Sequence, residues 1–120
     1  MSYKNLEIWQ LSKVISIEIH KMTITLLPKY EMFEEGAQKR RSIKSIRSNI
    51  VEGYGRKRYK ADFIKFLVYS YASQLEAKSQ AEFLFLATKN MKWDKITQEL
   101  DLLGIKIHNF ILYVERSWKT

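Results

Sequence analysis

A chain of 120 residues is long enough for one domain with one core, and 46% hydrophobic with 28% charged residues is a globular balance. There is no Cys, which excludes disulfides, thiolate zinc sites and a thiol nucleophile, and one Pro with four Gly supplies too few turns for a sandwich or barrel. The net charge of +8 favours a polyanionic partner, nucleic acid first, then an anionic membrane or an acidic protein surface.

The opening stretch MSYKNLEIWQ lacks a basic-then-apolar leader pattern. No uncharged apolar run approaches the ~18 residues that a membrane span requires. The expectation is a cytoplasmic protein with no membrane partner.

Pro28 is the first strong breaker, and residues 5–27 before it are expected to form one helix. Leu6, Trp9, the Lys13 stem, Ile17 and Ile24 mark its expected inner face, widened by Val14 and Ile15. The β-branched run from Ile15 to Thr25 also alternates like a strand. A lone strand in a helical chain would have no pairing partner, so helix is the reading adopted. Residues 28–36, PKYEMFEEG, form the first connection. Glu31, Glu34 and Glu35 stand where carboxylates suit the positive end of the following helix.

That second helix is expected over about 35–53, ending at Gly53-Tyr54-Gly55. At ~100° per residue, Ile43, Ile46 and Ile50 form its core stripe. Arg41, Ser45, Ser48 and Glu52 make a mixed polar row, with Asn49 at its boundary. Such a row suits specific hydrogen bonding in an assembly better than plain solvation. Arg40, Lys44 and Arg47 make a cationic strip on the other side of the isoleucines.

The third helix is expected from about Lys60–Asp62 to about Asn90. Phe63, Leu67, Ser70, Gln74, Ala77, Ala81 and Leu84 recur at spacings of four and three, a seam of small residues that lets helices approach closely. Ile64, Val68, Tyr71 and Leu75 form a second apolar row. Asp94 is the expected N-cap of the last helix, whose seam runs Ile96, Leu100, Leu103, Ile107, Phe110, Val114. Leu102, Ile105 and Leu112 lie off that seam. Gly104 costs about 1 kcal/mol relative to Ala within a helix, which implies close packing there. The sum is an all-α, up-down-up-down antiparallel four-helix bundle, a single domain over 1–120. Its surplus apolar rows predict a homo-oligomer, most simply a closed ring.

The charge excess is local. Residues 39–60 hold nine cations and one anion, which accounts for the whole +8; the other 98 residues hold twelve of each sign. The candidate nucleic-acid contacts are Arg40, Lys44, Arg47, Arg56, Lys57, Arg58 and Lys60, with Tyr54 and Tyr59 as aromatics able to stack on bases. The competing reading is a solvated helix face, with Glu52 pairing Arg56 one turn on. Catalytic, metal and cofactor sites are not expected. His20 and His108 fall on different helices, Gly53-Tyr54-Gly55 lacks a third glycine and a preceding strand, and Glu52 is the only acid in the basic segment.

The block from Gln38 to Arg56, with Gln38, Arg40, Arg41, Ser45, Asn49, Glu52, Gly53 and Gly55 at their spacings, resembles the signature of the four-helix-bundle proteins encoded in bacterial 23S rRNA intervening sequences. Tyr3 to Gln10, Pro28-Lys29-x-Glu31, Phe66-Leu67 and Ser73-x-x-Glu76 resemble further parts of that family. Glu34-Glu35 and Ser42 depart from its usual Gly-Leu and Ala. The resemblance implies a bundle that assembles into a five-membered ring, a ribosomal-protein-like link to rRNA and no established catalysis. On the helical wheel Gln38, Arg41, Ser45, Asn49 and Glu52 of this block lie together as the candidate assembly or structural row. A related branch comprises accessory proteins of diversity-generating retroelements, which bind a reverse transcriptase and nucleic acid. Two readings follow: a non-catalytic ring that binds RNA or other nucleic acid, or a protein scaffold whose basic surface docks an acidic or nucleoprotein partner such as a reverse transcriptase.

Overall fold

The computed structural model describes the backbone of residues 2–26 and 37–119, and the side chains of 2–25 and 41–119. A 3-10 turn, Tyr3–Asn5, leads into α1, Glu7–Leu26. It is followed by α2, Ala37–Gly55, α3, Lys60–Thr88, and α4, Met91–Ser117. Each helix packs on two others in cyclic order, α1 on α2, α2 on α3, α3 on α4 and α4 on α1. This is the expected four-helix bundle, a rod of 48 × 21 × 20 Å whose length matches the ~1.5 Å rise of its longest helices. No strand occurs among the described residues. The expected connection at 28–36, with Glu31, Glu34 and Glu35, lies outside them.

The core follows the small-residue seam of α3 position for position, from Phe63 through Leu84. Ile43, Ile46 and Ile50 of α2 lie opposite, fully or almost fully buried. Close approach is visible at two glycines. A Cβ on Gly53 would stand 3.1 Å from the Phe66 Cβ, and one on Gly104 would stand 2.6 Å from the Gln74 amide. Gln74 is itself pinned, donating from Nε2 to the Leu100 carbonyl at 2.8 Å. Ser70 ties α3 to α2 through the Ile46 carbonyl at 2.9 Å. Both bonds serve polar groups that would be costly to bury unpaired.

Three expectations are corrected. The inner face of α1 is Ile8, Ser12, Ile15, Ile19 and Met22, while Val14, Ile17 and Ile24 are exposed by about half or more. The reason is local. Ser12, Ser16 and Thr23 bond back to carbonyls three or four residues earlier. Hydroxyls satisfied in this way can face the core, which leaves Ile17 and Ile24 outside. The N-cap of α4 is Asn90, whose side chain accepts from the Lys92 amide at 2.9 Å. Asp94 stands in the first turn and accepts from Gln98. Lys89 closes α3 in the left-handed region at φ 59°, so the α3–α4 connection is only two residues long. Near the end of α4, Ile111 is buried and Phe110 half-buried, because the seam steps by four at that point and not by three.

Candidate nucleic-acid interface

The expected cations separate into two groups along α2. Gln38 and Arg40 belong to its first turn, and their side chains lie outside those described. Lys44 is exposed and Arg47 half-buried. Roughly 13 Å farther along the helix, at ~1.5 Å per residue, the chain turns between α2 and α3 and carries Arg56 to Lys60.

The corner is held by many contacts and partly neutralised. Arg56 meets Glu52 at 2.9 Å and Asp62 at 3.7 Å, and its guanidinium lies 4.9 Å from the centre of the Phe66 ring. The Lys57 ammonium stands 3.8 Å over Tyr54, and Arg58 stands 5.9 Å from Tyr59. Lys60 is half-buried at the first position of α3. From the other end of the chain, the Trp118 indole donates to the Lys57 carbonyl at 3.3 Å and packs edge-on against Phe63. Tyr54 is 7% exposed and packs edge-on against Phe63, so it is a core residue and not a stacking platform. The hydrophobic path of α2 simply continues past Ile50 to it. Tyr59 is open to solvent.

The polar row divides as well. Ser45 and Ser73 share a hydrogen bond at 2.8 Å between α2 and α3, and the Asn49 amide donates to the Ser45 carbonyl and hydroxyl. Arg41, Ser45, Ser73 and Glu76 line a polar cleft of about 260 Å³. Arg41 and Glu52 are exposed, and Glu52 holds Arg56 as the one-turn pair.

Arg47 opens onto α1, including Trp9, the Lys13 stem and Ile17, which the sequence reading placed on the inner face. Trp9, Lys13, Ile17, His20 and Lys21 of α1 line, together with Arg47, a groove of about 480 Å³ between α1 and α2. The Arg47 Nε is buried without a hydrogen-bond partner, and no carboxylate among the described residues pairs with its guanidinium. The Lys13 ammonium lies 5.6 Å from the Trp9 ring centre. The two acids of α1 point elsewhere, Glu7 to Lys106 and Glu18 to Lys95 of α4. A signal for this was present in the sequence: Glu7 and Glu18 share one side of the helical wheel, and Lys13 and His20 the opposite one.

A second groove, of about 290 Å³, runs between α3 and α4 past Tyr71, Leu75, Gly104, Ile105 and His108. Its charges cancel, since Lys78 meets Asp101 at 2.8 Å. That hydrogen bond holds the Lys78 ammonium above its ordinary pKa. At the α1–α4 seam, burial first and Glu18 second raise the Glu99 carboxyl above the usual range. Among the described residues no group of three or more His, Asp or Glu could hold a metal, and no helix is long and apolar enough to cross a membrane.

Comparison with solved structures gives a bundle of the same shape. A crystal structure of a protein of unknown function from the S23 ribosomal protein family, from Bacteroides thetaiotaomicron VPI-5482, superposes with a TM-score of 0.77 at 20% identity. The match covers 88% of this chain and 95% of that one, and at this identity it speaks for the fold. Among curated proteins there is no significant match. The profile of the 23S rRNA-intervening sequence proteins matches residues 4–108, nearly the whole bundle, and the chain therefore belongs to the 23S rRNA-intervening sequence protein family.

Proposed function

We propose that this protein is a non-catalytic, self-assembling bundle of the cytoplasm that binds RNA or other nucleic acid through its cationic residues. The observation that carries the reading is the confinement of the whole +8 to residues 39–60, where Lys44, Arg58 and Tyr59 are exposed. Contacts of this kind go to phosphates, so affinity depends on salt and little on sequence. Assembly is supported by the apolar residues left open on α3 and α4, among them Val68, Leu75, Leu102 and Ile105. Closing them between copies yields the ring that the sequence resemblance implies, five-membered in that family, and repeats the cationic patch around it.

The test is binding of a labelled single-stranded RNA across a salt series, on wild type and on Arg56→Glu/Lys57→Glu/Arg58→Glu. Four phosphate contacts predict a slope of log K against log salt near about −3, and weaker binding by the variant at every sequence. An affinity indifferent to salt overturns the reading. In that case the exposed apolar residues favour the second reading, a scaffold docking an acidic protein such as a polymerase.

A further inference from the structure

The α1–α2 groove combines features that phosphate binding alone does not need. A site for bare phosphates is served by exposed lysines on a convex surface. Here the cations surround a concavity whose walls are apolar: Trp9 at one end and Ile17 in the middle, with Lys13, Lys21 and Arg47 around them. Ile17 is 48% exposed, although it has no polar atom to offer water. Arg47 is half out of water without a counter-charge, which costs free energy that an incoming anion would recover.

Resting on the nucleic-acid reading above, we infer that this groove seats one unstacked nucleotide of a single strand, its base against Trp9 and Ile17 and its phosphates on Lys13, Lys21 and Arg47. A nucleotide joins a flat, largely apolar body to an anion within one unit, and the groove offers the uncovered part of a half-buried Trp9 with the Lys13 ammonium standing over its ring, 5.6 Å from the centre. An acidic side chain supplies the charge but nothing for the ring to cover. An A-form duplex keeps its bases paired and stacked and presents only their edges and the backbone, so no base can enter a cleft between two helices. The site therefore converts a general attraction for phosphate into a preference for single strands. Its contacts to the base are apolar, so the preference is for strandedness and not for sequence.

The experiment uses the full chain, a labelled oligouridine and a duplex RNA of equal length at one ionic strength. A second arm uses the same oligomer carrying a photoreactive 5-bromouracil. Wild type is expected to bind the single strand about tenfold more tightly than the duplex, the size of one base-stacking contact. Ile17→Ser, at an exposed position that leaves the fold alone, is expected to reduce that difference while duplex affinity stays the same. The crosslink is expected in the peptide that contains Trp9. Equal affinity of wild type for both forms, an unchanged preference in Ile17→Ser, or crosslinks confined to Tyr59 at the α2–α3 corner each overturn the seat and leave the nucleic-acid reading standing. A polyglutamate peptide that displaces the strand at equal charge concentration overturns it too, in favour of an acidic-protein site. Failure of wild type to bind either RNA removes the nucleic-acid reading and the seat together.

Discussion

Two grooves of the bundle, α1–α2 and α3–α4, expose similar apolar side chains and differ in charge. Between α1 and α2, Lys13, Lys21 and Arg47 surround Trp9 and Ile17 with no acid among the lining residues. Between α3 and α4, Leu75 and Ile105 flank a Lys78–Asp101 pair that cancels itself. Apolar surface alone says only that something covers it. The charge beside it says what: a neutral groove suits a second copy of the same surface, and an uncompensated one suits an anion.

The assignment breaks most visibly if the grooves exchange roles. Leu75→Glu/Ile105→Glu is expected to reduce the assembly to a 14.3 kDa species in sedimentation equilibrium, since two buried carboxylates cannot be tolerated in an apolar contact. RNA affinity is expected to fall with it as avidity is lost. Ile17→Glu is expected to leave the mass unchanged. The opposite pair of results would place the interface between copies at α1–α2.

Packing separates the grooves next. In the α3–α4 groove, Gly104→Ala drives its Cβ into a Gln74 amide that is committed to the Leu100 carbonyl. Overpacking and the disturbed bond together cost roughly 1–3 kcal/mol, against about 1 kcal/mol of helix propensity gained. Melting is expected to fall by about 5 °C, and adding Gln74→Ala is expected to reverse part of the loss, a coupling that a double-mutant cycle measures. Ile17→Ser in the other groove is expected to move melting by about 1 °C at most, because its side chain leaves little surface to re-expose.

Salt titration then ranks the cations. Lys13→Ala/Lys21→Ala/Arg47→Ala is expected to reduce the salt slope by about 2, at ~0.7 per single-strand phosphate contact. Arg56→Ala/Lys57→Ala/Arg58→Ala is expected to reduce it by closer to 1, since Arg56 is shared between Glu52 and Asp62. Lys78→Ala, in the neutral groove, is expected to leave the slope unchanged. Equal losses for the two triples would mean that the corner and the groove contribute alike.

The smallest effect lies at the α1–α4 seam, where Lys95 stands 3.6 Å from both Glu18 and Glu99. Burial and then Glu18 raise the Glu99 carboxyl, so the folded state holds its proton more tightly than the unfolded chain does. Stability from this group is therefore greatest in acid, falls as pH rises through the carboxylate range, and stays reduced above it. Glu99→Gln is expected to raise melting at neutral pH by on the order of 1 °C and to have no such effect well below pH 4. A variant that melts lower at neutral pH would show that the attraction to Lys95 outweighs burial.

Much of this was legible in the sequence because helices α2, α3 and α4 use one device, apolar or small residues at spacings of three and four. The α3 seam could be read to the residue, including the polar Ser70 and Gln74, since their neighbours kept the period. Helix α1 could not be read in the same way. It is apolar on most sides, and its buried Ser12 and Ser16 satisfy themselves on their own backbone, which removes the usual polar marker of the outer face. The error concealed the α1–α2 groove, because the Lys13 stem and Ile17 are read as inner-face residues along with Trp9, which alone of the three packs against the core. Tyr54 illustrates the converse: in a basic stretch it looks like a base-stacking residue, yet at one turn past Ile50 it continues the core stripe.

The bond from the Trp118 indole to the Lys57 carbonyl has a practical consequence. It fixes the C-terminal end of α4 against the turn that carries Arg56, Lys57 and Arg58. Anything fused beyond residue 118, a purification handle or a fluorescent reporter, therefore emerges beside those cations. A polyhistidine or acidic fusion there would alter the local field and obstruct access, so the binding measured would belong partly to the handle. Labels intended to leave RNA affinity untouched are better carried near the other end of α3 and off the line of Val68 and Leu75, at an exposed position such as Ala87.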